Sequence, residues 1–120
     1  MEIIKCSRIS NFNNSTRTYY DAHDVRISDV FLPYNVGSKD LYHTHKEITE
    51  VLFILEGKVL VKILKNADTN EYVINKNKVI IFSPGEKHCV KPIGDNARVI
   101  VFKYLKTEKE LLSLFISDWE

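Results

Sequence analysis

Short segments with the pattern of β-strands, each ended by turn-forming residues, recur along most of this 120-residue chain. Hydrophobic and polar residues alternate over 58–65 and again over 97–104, as in strands that bury one face. Turn-forming Asn, Asp, Gly and Pro residues separate such segments. Many short strands at regular spacing are typical of a β-sandwich or a small β-barrel. The sequence therefore predicts one all-β domain.

The pattern predicts strands along the whole chain except at one polar stretch and at the C-terminal end. Strands are predicted at 2–6, 23–32, 39–45, 50–55, 58–65, 71–74, 79–82, 88–91 and 97–104. The polar stretch 10–18 is predicted to be a loop. Further on, Thr107 and Glu110 form a capping box ahead of leucines and aromatic residues at helical spacing. We therefore expect an amphipathic helix over about 108–118, packed on the strands.

Two of the four histidines, His43 and His45, stand one residue apart. Side chains at i and i+2 of a strand point to the same face, so both imidazoles would enter one cavity. Glu50 and His88 each adjoin a hydrophobic run that is predicted to be a strand. Three imidazoles and a carboxylate suit a divalent Fe, Mn, Ni, Cu, Co or Zn ion. Glu47 is an alternative carboxylate, because it would share the histidines' face if the strand continued unbroken.

The same stretch resembles a known motif. Read as Gly37-x5-His43-x-His45-x4-Glu50-x6-Gly57, it is similar to the first motif of the cupin family, G-x5-H-x-H-x3,4-E-x6-G, at every defined position. This spacing favours Glu50 over Glu47 as the carboxylate ligand. Gly57 is expected to form a tight turn after the hydrophobic run.

The second cupin motif, G-x5-P-x-G-x2-H-x3-N, is matched in part. Gly85 and His88 fit, whereas Asn77, Ser83 and Pro92 stand where the first Gly, the Pro and the Asn are expected. Asn77 is a mild change, because Asn tolerates the left-handed conformation that Gly supplies in turns. The other two changes leave the histidine untouched and affect the loop around it.

The resemblance implies both the fold and the ligand set. Cupins form a double-stranded β-helix, an RmlC-like jelly-roll β-barrel, so we expect a single domain over 1–120 with the barrel core at about 23–105. The resemblance implies that His43, His45, Glu50 and His88 bind one divalent transition metal ion. It does not identify the metal, because availability in the cell decides which ion occupies such a site.

Several functions are compatible with this pattern. Cupins of this type include dioxygenases, sugar isomerases, decarboxylases, lyases and pure binding proteins, so the fold does not fix the reaction. We expect a metal-dependent enzyme of the dioxygenase, lyase or isomerase type, acting on a small polar organic substrate bound at the metal. The alternative is a non-catalytic cupin that binds a small ligand or serves as a sensor. No catalytic side chain is assigned from the sequence.

Strand phase predicts the surroundings of the metal. A mainly apolar cavity wall is expected from Leu41, Leu52, Ile54 and Val90. Polar residues whose roles the sequence leaves open are Tyr42, Arg26, Arg98, Lys62 and Tyr104. Consecutive hydrophobic residues over 51–55 and 79–82 indicate strands buried on both faces, which need a second sheet, the helix or another subunit as cover. Small cupins are commonly homodimers, so a homodimer is expected.

Composition excludes several other classes of protein. The formal net charge is +1 with both signs interspersed, which argues against nucleic-acid and membrane partners. The N-terminus lacks the order of a signal peptide, and Cys6 and Cys89 do not form a disulfide framework, so a cytoplasmic location is expected. Cys89 is expected to be a small buried hydrophobic residue.

Overall fold

The computed structural model describes residues 1, 7–10, 15–21, 25–35 and 39–105. Within these ranges the chain forms nine strands and no helix. The strands are β1 (Ser7–Ser10), β2 (Ser15–Asp21), β3 (Val25–Leu32), β4 (Thr49–Glu56), β5 (Lys58–Lys65), β6 (Asp68–Asn75), β7 (Val79–Phe82), β8 (Lys87–Pro92) and β9 (Ala97–Tyr104). No helix of the described part is long and apolar enough to cross a membrane.

The strands form two antiparallel sheets. The larger sheet has the order β1-β2-β3-β9-β4-β7, and the smaller sheet has the order β6-β5-β8. The chain passes from the larger sheet to the smaller one between β4 and β5, and again between β7 and β8. This all-β arrangement confirms the predicted jelly-roll fold class. The predicted strand 2–6 and helix 108–118 lie outside the described residues.

The hydrophobic core lies between the two sheets. Leu52 and Ile54 of β4 pack with Val99 of β9 and with Val59 and Val61 of β5, and all five are almost fully buried. These residues occupy alternate positions of their strands, so each sheet buries one face against the other. The alternation in the sequence therefore identifies the interior face, on which the candidate site also lies.

Two predictions about local structure are wrong. The stretch 10–18 is not all loop, because β2 begins at Ser15 and pairs with β3 along its length. Polarity favoured a loop there, but Thr and Tyr are good strand formers. The segment 39–45 is not a strand; its one bridge joins His43 to His88. The structure describes a single chain, so the homodimer stays a prediction.

Gly57 lies between β4 and β5 and close to the start of β9, and its replacement should be costly. Its φ is +75°, and a Cβ there would lie 2.5 Å from the carbonyl oxygen of Asn96. Gly57→Ala should therefore lower the free energy of unfolding by roughly 2–4 kcal/mol, combining left-handed strain with steric overlap. Chemical denaturation measures the loss.

Gly94→Ala is a matched control for this prediction. Gly94 has a similar φ of +74°, but no atom lies within 4 Å of an added Cβ. Only the conformational cost applies, about 1–2 kcal/mol. Equal losses in the two variants would contradict the steric role of Gly57.

Candidate metal centre

Backbone hydrogen bonds fasten the His-x-His segment to the smaller sheet. The His43 N–H donates to the His88 carbonyl at 2.9 Å, and the His88 N–H donates to the His43 carbonyl at 3.0 Å. Gly85, in the turn after β7, donates its N–H to the His45 carbonyl at 2.6 Å. His43 and His88 are 45 positions apart in sequence, yet these bonds hold their backbones side by side.

Three imidazole nitrogens converge on one carboxylate oxygen. Glu50 Oε2 lies 3.5 Å from His43 Nε2, 3.5 Å from His45 Nε2 and 3.2 Å from His88 Nε2. One candidate ligand atom from each of His43, His45 and Glu50 lies within 4.8 Å of the others, so these three residues could hold a metal ion. The Glu50 and His88 side chains are buried, whereas the His43 side chain is 47% exposed, so the site opens towards solvent beside His43.

The orientation of the His88 ring is fixed on two sides. Its Nδ1 lies 2.8 Å from the Glu86 carbonyl oxygen, which can only accept a hydrogen bond, so Nδ1 carries a proton. The ring also stacks on Phe82, with centroids 3.7 Å apart and planes 4° apart. In the neutral ring, Nε2 then directs a lone pair at Glu50 Oε2. The lone pair and the carboxylate oxygen repel each other, and a cation bound by both atoms would remove this repulsion.

His45 provides a test of whether a metal fits. Among the described side chains, His45 Nε2 is the one buried nitrogen or oxygen with no hydrogen-bond partner. Leaving such an atom unsatisfied costs about 1–3 kcal/mol. Ligand atoms about 2.0–2.2 Å from a common ion lie roughly 3.0–3.5 Å apart, as the nitrogens do from the Glu50 oxygen. The residues therefore fit a divalent metal ion.

The charge states of these groups also suit metal binding. Burial raises the pKa of Glu50, but its interactions with His43 and His88 outweigh it and hold that pKa far below its usual range. Burial lowers the pKa of His45, and the nearby charge of Lys103 lowers it further. At neutral pH the carboxylate is therefore ionised and the His45 ring is neutral. These are the forms in which both residues bind metals.

The alternative carboxylate lies away from the histidines. Glu47 is exposed and lies in a bend with Lys46, whereas β4 begins only at Thr49. The bend interrupts the strand, so the phase that would have placed Glu47 beside His45 does not hold. In the structure, Glu50 alone of these two carboxylates meets the imidazoles.

The predicted apolar wall is partly confirmed. Leu52 and Ile54 are buried in the core, and Val90 packs against it. Leu41 was expected in the wall but is 54% exposed, because the backbone of segment 39–45 pairs with β8 in a single bridge at His43 and not as a strand. Cys89 is buried and free, as predicted, and burial raises the pKa of its thiol.

Most of the polar residues whose roles the sequence left open lie away from the histidines. Arg98 donates two hydrogen bonds to the buried carboxylate of Asp29, at 3.0 Å from Nε and 2.7 Å from Nη2. Lys62 binds Asp40 at 2.8 Å. Tyr104 lies on the outward-facing side of β9, with its ring near Phe102. Structural ion pairs and sheet packing thus account for these positions.

Two polar residues do lie on the interior face near Glu50. Arg26 of β3 pairs in register with Lys103 of β9, and Lys103 pairs in register with Glu50 of β4. Lys103 was missed by sequence reasoning. The alternation of Val99, Val101 and Lys103 could have identified it, because the two valines belong to the interior face.

Solved structures with this architecture show which fold the chain has. The chain aligns with the Cnp3 cupin domain of Schizosaccharomyces pombe at a TM-score of 0.65 and 21% identity, covering 78% of this chain and 61% of that one. The chain has the cupin fold. The cupin barrel also aligns with hydroxypropylphosphonic acid epoxidase from S. wedmorenis at a TM-score of 0.76 and 13% identity, covering 87% and 59% of the two chains.

A third solved structure with this fold is that of HppE with Fe(II). It aligns at a TM-score of 0.76 and 12% identity, covering 87% of this chain and 60% of that one. The chain thus spans about three fifths of the length of these three structures. No protein-family model matches the sequence, and no curated protein matches it either.

Proposed function

We propose that this cupin binds one divalent metal ion through His43, His45, Glu50 and His88, and that it is an enzyme acting on a small polar organic substrate. The observation that carries the proposal is the convergence of three imidazole Nε2 atoms on one buried carboxylate oxygen. A dioxygenase, a lyase or an isomerase is compatible with this site. Structural zinc sites, in contrast, are usually closed and often use thiolates.

The residues around such a metal ion would have different roles. A bound divalent ion would supply Lewis acidity towards substrate oxygen atoms. Glu50 supplies the negative charge that holds the cation, and Glu86 and Phe82 keep the His88 ring aimed at the site. The exposed side of His43 leaves an opening for the substrate. Leu52, next to Glu50 on the interior face, excludes water from the inner side.

Two of the matched structures support a catalytic, metal-dependent role. One is an epoxidase named for a small organic acid, and HppE is described with Fe(II). Iron is therefore the first metal to test here, followed by Mn, Ni, Zn, Cu and Co. The low identity means that the substrate must be established for this chain by experiment.

The rival function is a cupin that binds a small ligand, as a sensor or accessory subunit, without turning it over. The observation favouring it is the scarcity of acid–base groups around the site. Within the described part of the chain, Leu52 and Val101 lie beside Glu50 on the interior face, where the ionisable residues are Lys103, Arg26 and the histidines themselves. A binding protein needs no proton-transfer residue, whereas most isomerases and lyases do.

A turnover screen separates the two functions. The protein is loaded with each candidate metal and incubated, with and without oxygen, with keto acids, diketones, phenols and sugar phosphates. Metal-dependent conversion of any compound that is lost in Glu50→Gln supports the enzyme. Saturable binding of a compound to the loaded protein with no conversion under any condition supports the binding protein. A protein that takes up none of the metals refutes both.

Metal affinity should fall as the pH drops. Imidazoles bind metals only when neutral, so protons compete for them below the ordinary imidazole pKa of about 6.5. Each imidazole that titrates adds up to about a tenfold loss of affinity per pH unit below its own pKa. Burial lowers the pKa of His45, so His45 contributes to this loss at a lower pH than an ordinary histidine. Calorimetric titrations of metal between pH 7.5 and 5.5 measure the effect, and a flat profile would contradict imidazole ligation.

A further inference from the structure

Lys103 places a positive charge on the interior face directly beside the candidate ligands. It lies on β9 after Val99 and Val101, whose side chains pack in or against the core. Across the sheet, Lys103 is the register partner of Glu50 on β4. Its charge acts on both Glu50 and His45, because it contributes to lowering the pKa of each. An ammonium group in this position opposes the binding of a cation, so a structural role in metal binding does not explain it.

Arg26 adds a second cation on the same face. It is the register partner of Lys103 on β3, so the two positive residues stand directly opposite each other across neighbouring strands. On its other side Arg26 is the register partner of Asp21 on β2, so its charge stands beside an acidic position as well. Arg26 is exposed and Lys103 is half-buried, so the pair leads from solvent towards Glu50.

The carboxylate of Glu50 does not neutralise Lys103. Its Oε2 atom is already approached by three imidazoles. No ion pair or hydrogen bond joins Lys103 to any residue in the described part of the chain. With a divalent ion at the histidines, the positive charges around the opening would exceed the single negative charge of Glu50. The site would then attract small anions.

We infer that Lys103 binds the anionic group of the substrate, a carboxylate or a phosphate or phosphonate group. This inference rests on the proposed function, because it places the anion beside a bound metal ion. It narrows the substrate from a small polar molecule to a small organic anion. Lys103 is the specificity-determining residue.

Calorimetry on the Co(II)-loaded full chain tests the inference with three probes: methylphosphonate, acetate and the neutral acetamide. Wild-type protein should bind at least one of the two anions and should discriminate against acetamide. Lys103→Met should weaken binding of that anion about 10- to 100-fold, the range expected for hydrogen bonds to a charged group. Lys103→Arg should keep most of the affinity. Lys58→Met is the control, because it removes one exposed positive charge at the start of β5, the end away from Ile63, which pairs in register with His88.

The Co(II) affinity of the same variants separates a specific role from misfolding. Lys103→Met should bind Co(II) at least as tightly as wild type, because a repelling charge is removed. The inference is overturned if Lys103→Met loses both Co(II) and anion binding, or if wild type binds the anions and acetamide equally. Either result leaves the proposed metal site of the wild-type protein standing. Failure of wild type to bind Co(II) or any other candidate metal overturns the proposed function and this inference with it. Preference for methylphosphonate over acetate, or the reverse, identifies the anionic group.

Discussion

Glu50→Gln should lose tight metal binding while the fold persists. The substitution keeps the shape of the side chain but removes the negative charge that the three imidazoles approach. Changes to residues that merely support metal ligands cost about 10- to 100-fold in affinity. Removing a charged ligand should cost more than about 100-fold. Titration of Fe(II), Co(II) and Zn(II) under anaerobic conditions measures the loss.

Melting temperature gives an independent readout of the same variant. A metal held at a thousandfold excess over its dissociation constant stabilises a folded protein by roughly 4 kcal/mol. Wild type should show the corresponding upward shift, and Glu50→Gln should show almost none. Glu47→Gln is the matched control, because Glu47 is exposed in the bend before β4 and should keep the full shift. Loss of the shift in Glu47→Gln together with its retention in Glu50→Gln would make the carboxylate assignment wrong.

His45→Ala is expected to have the second-largest effect. It removes the buried imidazole nitrogen that lacks any hydrogen-bond partner in the described structure. Because this nitrogen contributes no internal hydrogen bond, its removal should leave the metal-free protein about as stable as wild type. Metal affinity should nevertheless fall by more than about 100-fold, as for any lost direct ligand. Unfolding and metal titration on the same sample distinguish these effects.

Lys46→Ala is the control for disturbance of the segment itself. Lys46 adjoins His45 and is exposed, so its truncation changes the same stretch of backbone without touching the imidazoles. It should bind metal like wild type. Tight binding by His45→Ala would refute the site, whereas weak binding by Lys46→Ala would show that the segment, not the imidazole, controls affinity.

The regular part of the fold was predictable because one physical rule governs it. Strands 58–65 and 97–104 have the bounds that alternation and turn residues predict, and strand 79–82 has the bounds of its hydrophobic run. Each buries one face against the other sheet, so the hydrophobic pattern in the sequence records the packing directly. The proposed ligands were likewise recognisable from spacing, because the His-x-His pair and the carboxylate lie close together in the chain.

The rest depends on partners distant in the sequence. Segment 39–45 meets β8 at one bridge, and no local pattern distinguishes such a bridge from a regular strand. Lys103 matters because it pairs in register with Glu50. The sequence alone does not show this, because it does not show that β9 lies beside β4. Residues 15–21 form a strand because β3 offers an edge for pairing, which polarity alone does not reveal.

The paired hydrogen bonds between the backbones of His43 and His88 have a practical consequence. They hold the two halves of the site together in the protein alone, so an arriving ion meets an assembled site and need not drive folding. With one ligand open to solvent, we expect ions to leave and be replaced without unfolding. The metal found in a purified sample would then reflect the last buffer that the protein met. Identifying the physiological metal requires trapping it before the cells are broken.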